Sequence, residues 1–274
     1  MTKNRICVDY VYGGENALVL YFIMAGLILA LQFFTRVPLP ISVEFSEKNM
    51  RHAFYALPWI GFLFGGITAF CMYFFSHKFV AAVLAILAVI LLGQSLHLDG
   101  LADCADAFFA SANTDKTLEI LKDPHIGTFG VIALILDIVL RVVLYSAFSF
   151  APSLLILPPF LSRCFVLFAV VYGMPVKQNG LGAFFYRSIS KYTPFVYFCF
   201  ILFLCLSGVF FLQYHVLIFI LPVLNLSIVF FMLKYCKKKL GGTTGDVNGA
   251  IVEILEIVNL FILLLFYTKG KGIC

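Results

Sequence analysis

The sequence predicts an all-α, polytopic integral membrane protein, a helical bundle of about seven to eight transmembrane helices. Three observations predict it. Hydrophobic residues make up 62% of the 274 residues and charged residues only 12%, whereas a soluble domain is about 45–50% apolar and about 25% charged. The apolar residues come in runs of about 20, the length at which a helix crosses a hydrocarbon core. Lys and Arg fall between those runs and are dense on one side only.

Eight runs qualify, at 17–34, 53–75, 79–96, 126–150, 152–173, 194–212, 214–233 and 247–267. The first is the weakest, and if it is only re-entrant the N-terminus changes side while the loops keep theirs. Very short links make antiparallel hairpins of the second with the third run and of the sixth with the seventh. Pro58, Pro158, Pro159 and Pro222 lie in or near apolar runs and are expected to kink or break them. Residues 1–16 are mixed and polar and read as an N-terminal extension. They do not have the pattern of a removed signal peptide, and Met24 is an alternative start to Met1. The rest is one membrane domain without a soluble domain or low-complexity segment. No internal repeat is clear, which does not favour an inverted-repeat transporter.

The polar loops are 35–52, 97–125, 174–193 and 234–246. They carry Arg36, Lys48, Arg51, Lys116, Lys122, Lys177, Arg187, Lys191, Lys234 and Lys237 to Lys239; the opposite side carries Lys3, Arg5, Lys78, Lys269 and Lys271. The positive-inside rule puts the four loops in the cytoplasm. The expected location is therefore the cell (inner) membrane, multi-pass, with the chemistry on the cytoplasmic face. The net charge of +5 is modest; it sets topology and implies no nucleic-acid partner. The eight cysteines form no CxxC or Cys/His cluster and read as packing residues.

The densest chemistry is Asp99-Gly100-Leu101-Ala102-Asp103-Cys104-Ala105-Asp106. Its carboxylates recur at i, i+4 and i+7, one helical face. Like charges this close need a neutraliser, and for oxygen-only ligands that is a hard divalent cation such as Mg²⁺. Asp99, Asp103 and Asp106 are the expected metal ligands. His97, a poor Mg²⁺ ligand, is either a hydrogen-bond partner or a structural residue. In Lys122-Asp123-Pro124-His125-Ile126-Gly127-Thr128-Phe129-Gly130, Asp123 is either a cap of the next helix or a catalytic group, and the glycines permit close approach.

Gly241-Gly242-Thr243-Thr244-Gly245-Asp246 follows the basic Lys237 to Lys239 and leads into the last span. A Gly-rich turn at a helix N-terminus offers backbone N–H groups to phosphate, so Lys239, Thr243, Thr244 and Gly245 are candidate substrate contacts. Asp246 would repel phosphate unless a metal intervenes, and reads as a second metal-side carboxylate. It is not a Walker A motif. Glu253 and Glu256 continue the face of Asp246, and ionisable groups at this depth need a polar cavity or a partner. Asp137 and Arg141 are spaced to pair; Arg163 has no local acid and is matched either to a phosphate or to a span-eight glutamate. Gly180 and Gly182 form a turn, and Arg36 in Phe33-Phe34-Thr35-Arg36-Val37-Pro38-Leu39-Pro40 sits beside the membrane.

Together Phe33–Pro40, His97–Ala107, Glu119–Gly130, Gly180–Phe184 and Gly241–Glu256 resemble, in order and spacing, the cobalamin synthase (adenosylcobinamide-GDP ribazoletransferase) family. His125 stands where the family often has Arg, and Ala107 where Gly is common. The resemblance implies a Mg²⁺-dependent membrane transferase. It would join adenosylcobinamide-GDP to α-ribazole or its 5′-phosphate, releasing GMP and forming adenosylcobalamin or its 5′-phosphate, with homo-oligomerisation left open. It casts Asp246, or a cluster carboxylate such as Asp103, as the general base. Arg36, Arg163 and Lys239 become phosphate contacts, with Gly180 and Gly182 beside a bulky substrate. The alternatives fit less well. A CDP-alcohol phosphotransferase motif has Asp-Gly-x-x-Ala-Arg, and here Asp103 follows Ala102. A prenyltransferase needs two aspartate-rich motifs. A cation transporter needs mid-membrane carboxylates, for which only Glu253 and Glu256 are placed.

Overall fold

The structure, a computed structural model, describes residues 15–110, 113–148, 151–208 and 215–270. Eleven α-helices occupy them: α1 (Glu15–Phe34), α2 (Glu47–Phe74), α3 (Lys78–Val89), α4 (Ser95–Ala110), α5 (Thr114–Ile120), α6 (Thr128–Ala147), α7 (Leu157–Tyr172), α8 (Leu181–Ser188), α9 (Thr193–Gly208), α10 (His215–Leu240) and α11 (Gly245–Gly270). The protein is an all-α membrane bundle. Five of the described helices are long and apolar enough to cross a membrane, six if the bent α3–α4 pair counts as one span. The apolar part of α1 and the 16-residue α9 are shorter. Most of the N-terminal extension and the link at 209–214 lie outside the described residues.

The third run is not a straight span. α3 passes through a π-helical turn, Ile90–Gln94, and α4 then leaves at 92°. The bend is possible because Gly93 adopts φ +143°, where a Cβ would also meet the Phe34 carbonyl oxygen at 2.7 Å. The bend turns α4, with its carboxylates, away from the axis of α3.

The prolines act differently from one another. Pro58 and Pro222 sit inside continuous helices, with no break there. Pro158 and Pro159 open α7 after a short 3₁₀ turn, Pro152–Ile156, where a missing N–H costs no helical bond. α2 begins about six residues before its apolar run because Ser46 caps it, accepting the Asn49 N–H at 3.3 Å.

Small residues set how closely the helices pack. Gly61 and Gly65 let α2 lie on the start of α7; a Cβ at either would meet Pro159 or Ile156 backbone within 2.6 Å. α11 runs through the middle of the bundle against α4, α6, α7 and α10, burying Val247, Ala250, Ile251, Val252 and Leu255. Asn225 and Asn259 exchange amide hydrogen bonds of 2.7 and 3.0 Å between α10 and α11, replacing lost water as lipid-embedded polar groups require.

Candidate active site at the junction of α4 and α11

The polar loops meet one another. Thr243 donates its N–H to the Met174 carbonyl at 2.7 Å, and Val176 donates back to Thr243 at 3.0 Å. This stitches the loop after α7 to the loop before α11. Gly182 then lies over Gly245. Glu47 and Arg187 pair at 3.0 Å, and Phe45 stacks on Phe184, which brings in the loop after α1. Lys122 reaches the same region and lines a cleft with it.

At the centre, Gly100 of α4 rests on the Asp246 backbone and Gly249 of α11 on His97. The two helices cross where the acids of α4 meet Asp246. Asp99 is exposed, while Asp103 and Asp246 are half-buried. Burial raises the Asp103 carboxyl to about 6, and Asp99, Asp246 and Asp106, all acidic, push the same way. Asp246 does not cap α11. Thr244 does, accepting the Val247 N–H at 3.3 Å and facing Asp246 Oδ2 at 3.2 Å.

Asp106, expected as a metal ligand with Asp99 and Asp103, is placed differently from them. It is buried, and its two oxygens accept the N–H groups of Gly127 and Gly130 at 2.7 and 2.9 Å. It thus supplies the negative charge at the start of α6, and a side chain at either glycine would collide with it. Asp123 is consequently not the cap of α6; it accepts the His125 N–H at 3.0 Å and contacts its ring. Among the described residues, no three carboxylate, imidazole or thiol groups converge as a ready-made metal site. Asp99, Asp103 and Asp246 lie around the Gly100–Asp246 contact.

Arg163, expected as a phosphate contact, lines neither of the cavities beside Asp246. It is fully buried, pairs with Glu256 and donates to the Pro159 carbonyl at 3.0 Å. Arg141 pairs with Asp137 at 2.7 Å, as their spacing predicts, and also with Glu253 and Glu256. His97 joins this network, 3.5 Å from Arg163 and 3.9 Å from Glu253. The span-eight glutamates therefore hold arginines, which removes the basis for reading them as an ion path.

Two cavities open beside Asp246. A cleft of about 250 Å³ is lined by Lys122, Lys177, Asn179, Thr244 and Asp246 beside the apolar Leu118, Leu121 and Val176, with Gly180, Gly182, Thr243 and Gly245 in its walls. An apolar cavity of about 160 Å³ is lined by Phe33, Phe34, Phe54 and Phe185 and ends on Asp99 and Asp246. Arg36 and Lys239 line neither. Arg36 is exposed and donates to Ser95 Oγ at 3.0 Å, fastening the end of α1 to α4; Lys239 is half-buried in the last turn of α10.

A family model described as cobalamin-5-phosphate synthase matches residues 26–264. The chain belongs to this family. It is an enzyme, a transferase of cobalamin synthesis. A Treponema denticola protein named adenosylcobinamide-GDP ribazoletransferase is 40% identical over 250 residues, 86% of this chain and 96% of its own length. Proteins of that name from Clostridium kluyveri and Clostridium botulinum are 36% and 35% identical, over 88% and 89% of this chain and 96% and 98% of theirs. No solved structure matches the chain significantly. Within this cobalamin-5-phosphate synthase family member, the loops at Gly180 and Thr243 were both recognisable as motifs, and the fold joins them. Lys177 and the phenylalanine wall were missed: Lys177 counted only toward topology, although it stands just before the glycine turn.

Proposed function

We propose that the chain joins adenosylcobinamide-GDP to α-ribazole, or to α-ribazole 5′-phosphate, with release of GMP, in a Mg²⁺-dependent reaction at the cytoplasmic face of the cell membrane. One observation carries the reading: Gly100 packs on the Asp246 backbone, which gathers the like-charged acids of α4 and α11 beside a cleft that carries lysines. An all-oxygen donor set under that repulsion suits a hard divalent cation. Asp99, Asp103 and Asp246 would hold it, and when bound it would offset negative charge on the diphosphate.

The chain's own groups supply the rest. Lys122 and Lys177 attract and hold the diphosphate as ammonium donors. The close approach of Gly182 to Gly245 leaves the cleft wall as bare backbone where a bulky substrate must pass. Asp246, facing both cavities, takes the proton of the attacking ribose hydroxyl. The new bond joins that oxygen to the phosphorus attached to cobinamide. The bond from that phosphorus to the bridging oxygen breaks, and its electron pair leaves with GMP.

The test is incubation of the purified, reconstituted protein with adenosylcobinamide-GDP, α-ribazole and Mg²⁺. The proposal expects equimolar GMP and cobalamin product, and no GMP when either Mg²⁺ or ribazole is omitted. GMP release independent of ribazole, or turnover undiminished by chelator, would count against it.

A further inference from the structure

We propose that the two cavities are the separate subsites of the two substrates, divided by Asp246: the aromatic cavity takes the flat base of the ribazole nucleoside, and the lysine cleft takes the diphosphate of the nucleotide-activated corrinoid. This rests on the proposed reaction and adds to it which side each reactant enters from. The cavity walls differ in chemistry. Phe33 and Phe185 meet edge to face at 5.3 Å, and Phe54 and Phe185 at 5.5 Å, while Phe33 and Phe34 remain only half-buried. That is a slot of aromatic faces and edges suited to an uncharged planar ring. It offers no lysine to a diphosphate, and its polar lining is His97, Asp99, Asp246 and Asn248. The other cleft differs by the two cations in its lining, Lys122 and Lys177, and by having no aromatic ring there.

The geometry of phosphoryl transfer leads to the same division. Attacking and leaving oxygens lie roughly in line on opposite sides of phosphorus. With the diphosphate and its departing GMP on the lysine side, the hydroxyl must arrive from the aromatic side. Asp246 lies on the boundary and belongs to both linings, so the proton acceptor stands where the incoming hydroxyl passes. The alternative occupant of the aromatic slot is the guanine ring, which would draw the diphosphate away from Lys122 and Lys177.

The experiment compares Phe34→Leu with Lys177→Gln in the reconstituted enzyme. Phe34→Leu keeps an apolar side chain, and Lys177 is exposed, so both are expected to fold. Losing a base–aromatic stack should raise the KM for α-ribazole about tenfold in Phe34→Leu, with the KM for adenosylcobinamide-GDP within about twofold. Lys177→Gln should do the opposite by about the same factor. Equilibrium binding of GDP and of α-ribazole is measured on the same proteins. GDP binding should weaken only in Lys177→Gln, and α-ribazole binding only in Phe34→Leu. A reversed or undivided pattern overturns the subsite assignment while leaving the reaction standing. Wild-type protein that releases no GMP overturns the reaction, and the binding measurements then still decide the subsites.

Discussion

Gly100 of α4 is pressed against Asp246 of α11: a side-chain carbon at residue 100 would stand 2.5 Å from the Asp246 carbonyl oxygen and 2.9 Å from its Cα. The acid face and the glycine-rich turn, 146 residues apart in numbering, are one structure only because residue 100 lacks a side chain. Gly100→Ala must push backbone, not a flexible side-chain end. The expected result is a folded, membrane-inserted protein with kcat lowered about 100-fold, since a displacement of about 1 Å at a reacting group has that effect. Turnover of the purified variant, alongside its melting temperature, checks this.

Asp106 separates a structural carboxylate from the ones facing the junction. Asp106→Asn keeps one acceptor for two N–H groups and drops the charge at the start of α6, so stability should fall by about 1–3 kcal/mol. The Mg²⁺ concentration for half-maximal activity should stay within about threefold of wild type, a shift of under 1 kcal/mol. Asp103→Asn should reverse that pattern, with little loss of stability and loss of Mg²⁺-supported turnover. Thermal melts and Mg²⁺ titrations of both variants decide it.

The contrast also shows how far the sequence could be read. The helical spacing of Asp99, Asp103 and Asp106 was correct, and so was the apolar character of every run that became a helix. Spacing along one helix cannot say which face meets which neighbour, so Asp106 looked equivalent to the other two until Gly127 and Gly130 were seen to donate to it. The glycines were the available signal, because a pair spaced three apart at a helix start invites a close acceptor. The bend at Gly93 was hidden because its neighbours are as apolar as those of a straight span. Arg163 was ambiguous for a different reason: its partner Glu256 is 93 residues away, and only packing can choose between that glutamate and a ligand.

A pH dependence follows from Asp103. In the metal-free protein its folded-state pKa is raised to about 6, above that of an unfolded chain. The protonated form therefore favours the fold at low pH, and that contribution fades as pH rises through about 6. Cation binding needs the carboxylate, so protons and Mg²⁺ compete. Apparent Mg²⁺ affinity should be flat above about pH 7 and weaken toward about tenfold per unit below pH 6. The profile is read from Mg²⁺ titrations of activity between pH 5 and 8, using buffers that do not bind the metal; burial raises Asp246 too, so its protonation adds to the loss at the acid end.

Arg163 and Glu256 form a buried pair whose halves are unequal to replace. Arg163→Leu leaves Glu256 with one guanidinium fewer and should destabilise by about 3–5 kcal/mol, to the point of poor membrane yield. Arg163→Lys keeps the charge and should recover much of the yield. Because Arg163 is fully buried, the KM of the lysine variant for adenosylcobinamide-GDP should stay within about twofold of wild type, whereas a true phosphate contact would lose tenfold or more. Expression, melting and substrate kinetics together check it.

Everything turns on which acids share a cation, and Mn²⁺ used in place of Mg²⁺ lets that be read without turnover, by electron paramagnetic resonance of the reconstituted protein. Wild-type protein and Asp106→Asn should both bind Mn²⁺ saturably, and Asp103→Asn and Asp246→Asn should each lose that binding. Binding that survives in Asp246→Asn but vanishes in Asp106→Asn would contradict the account.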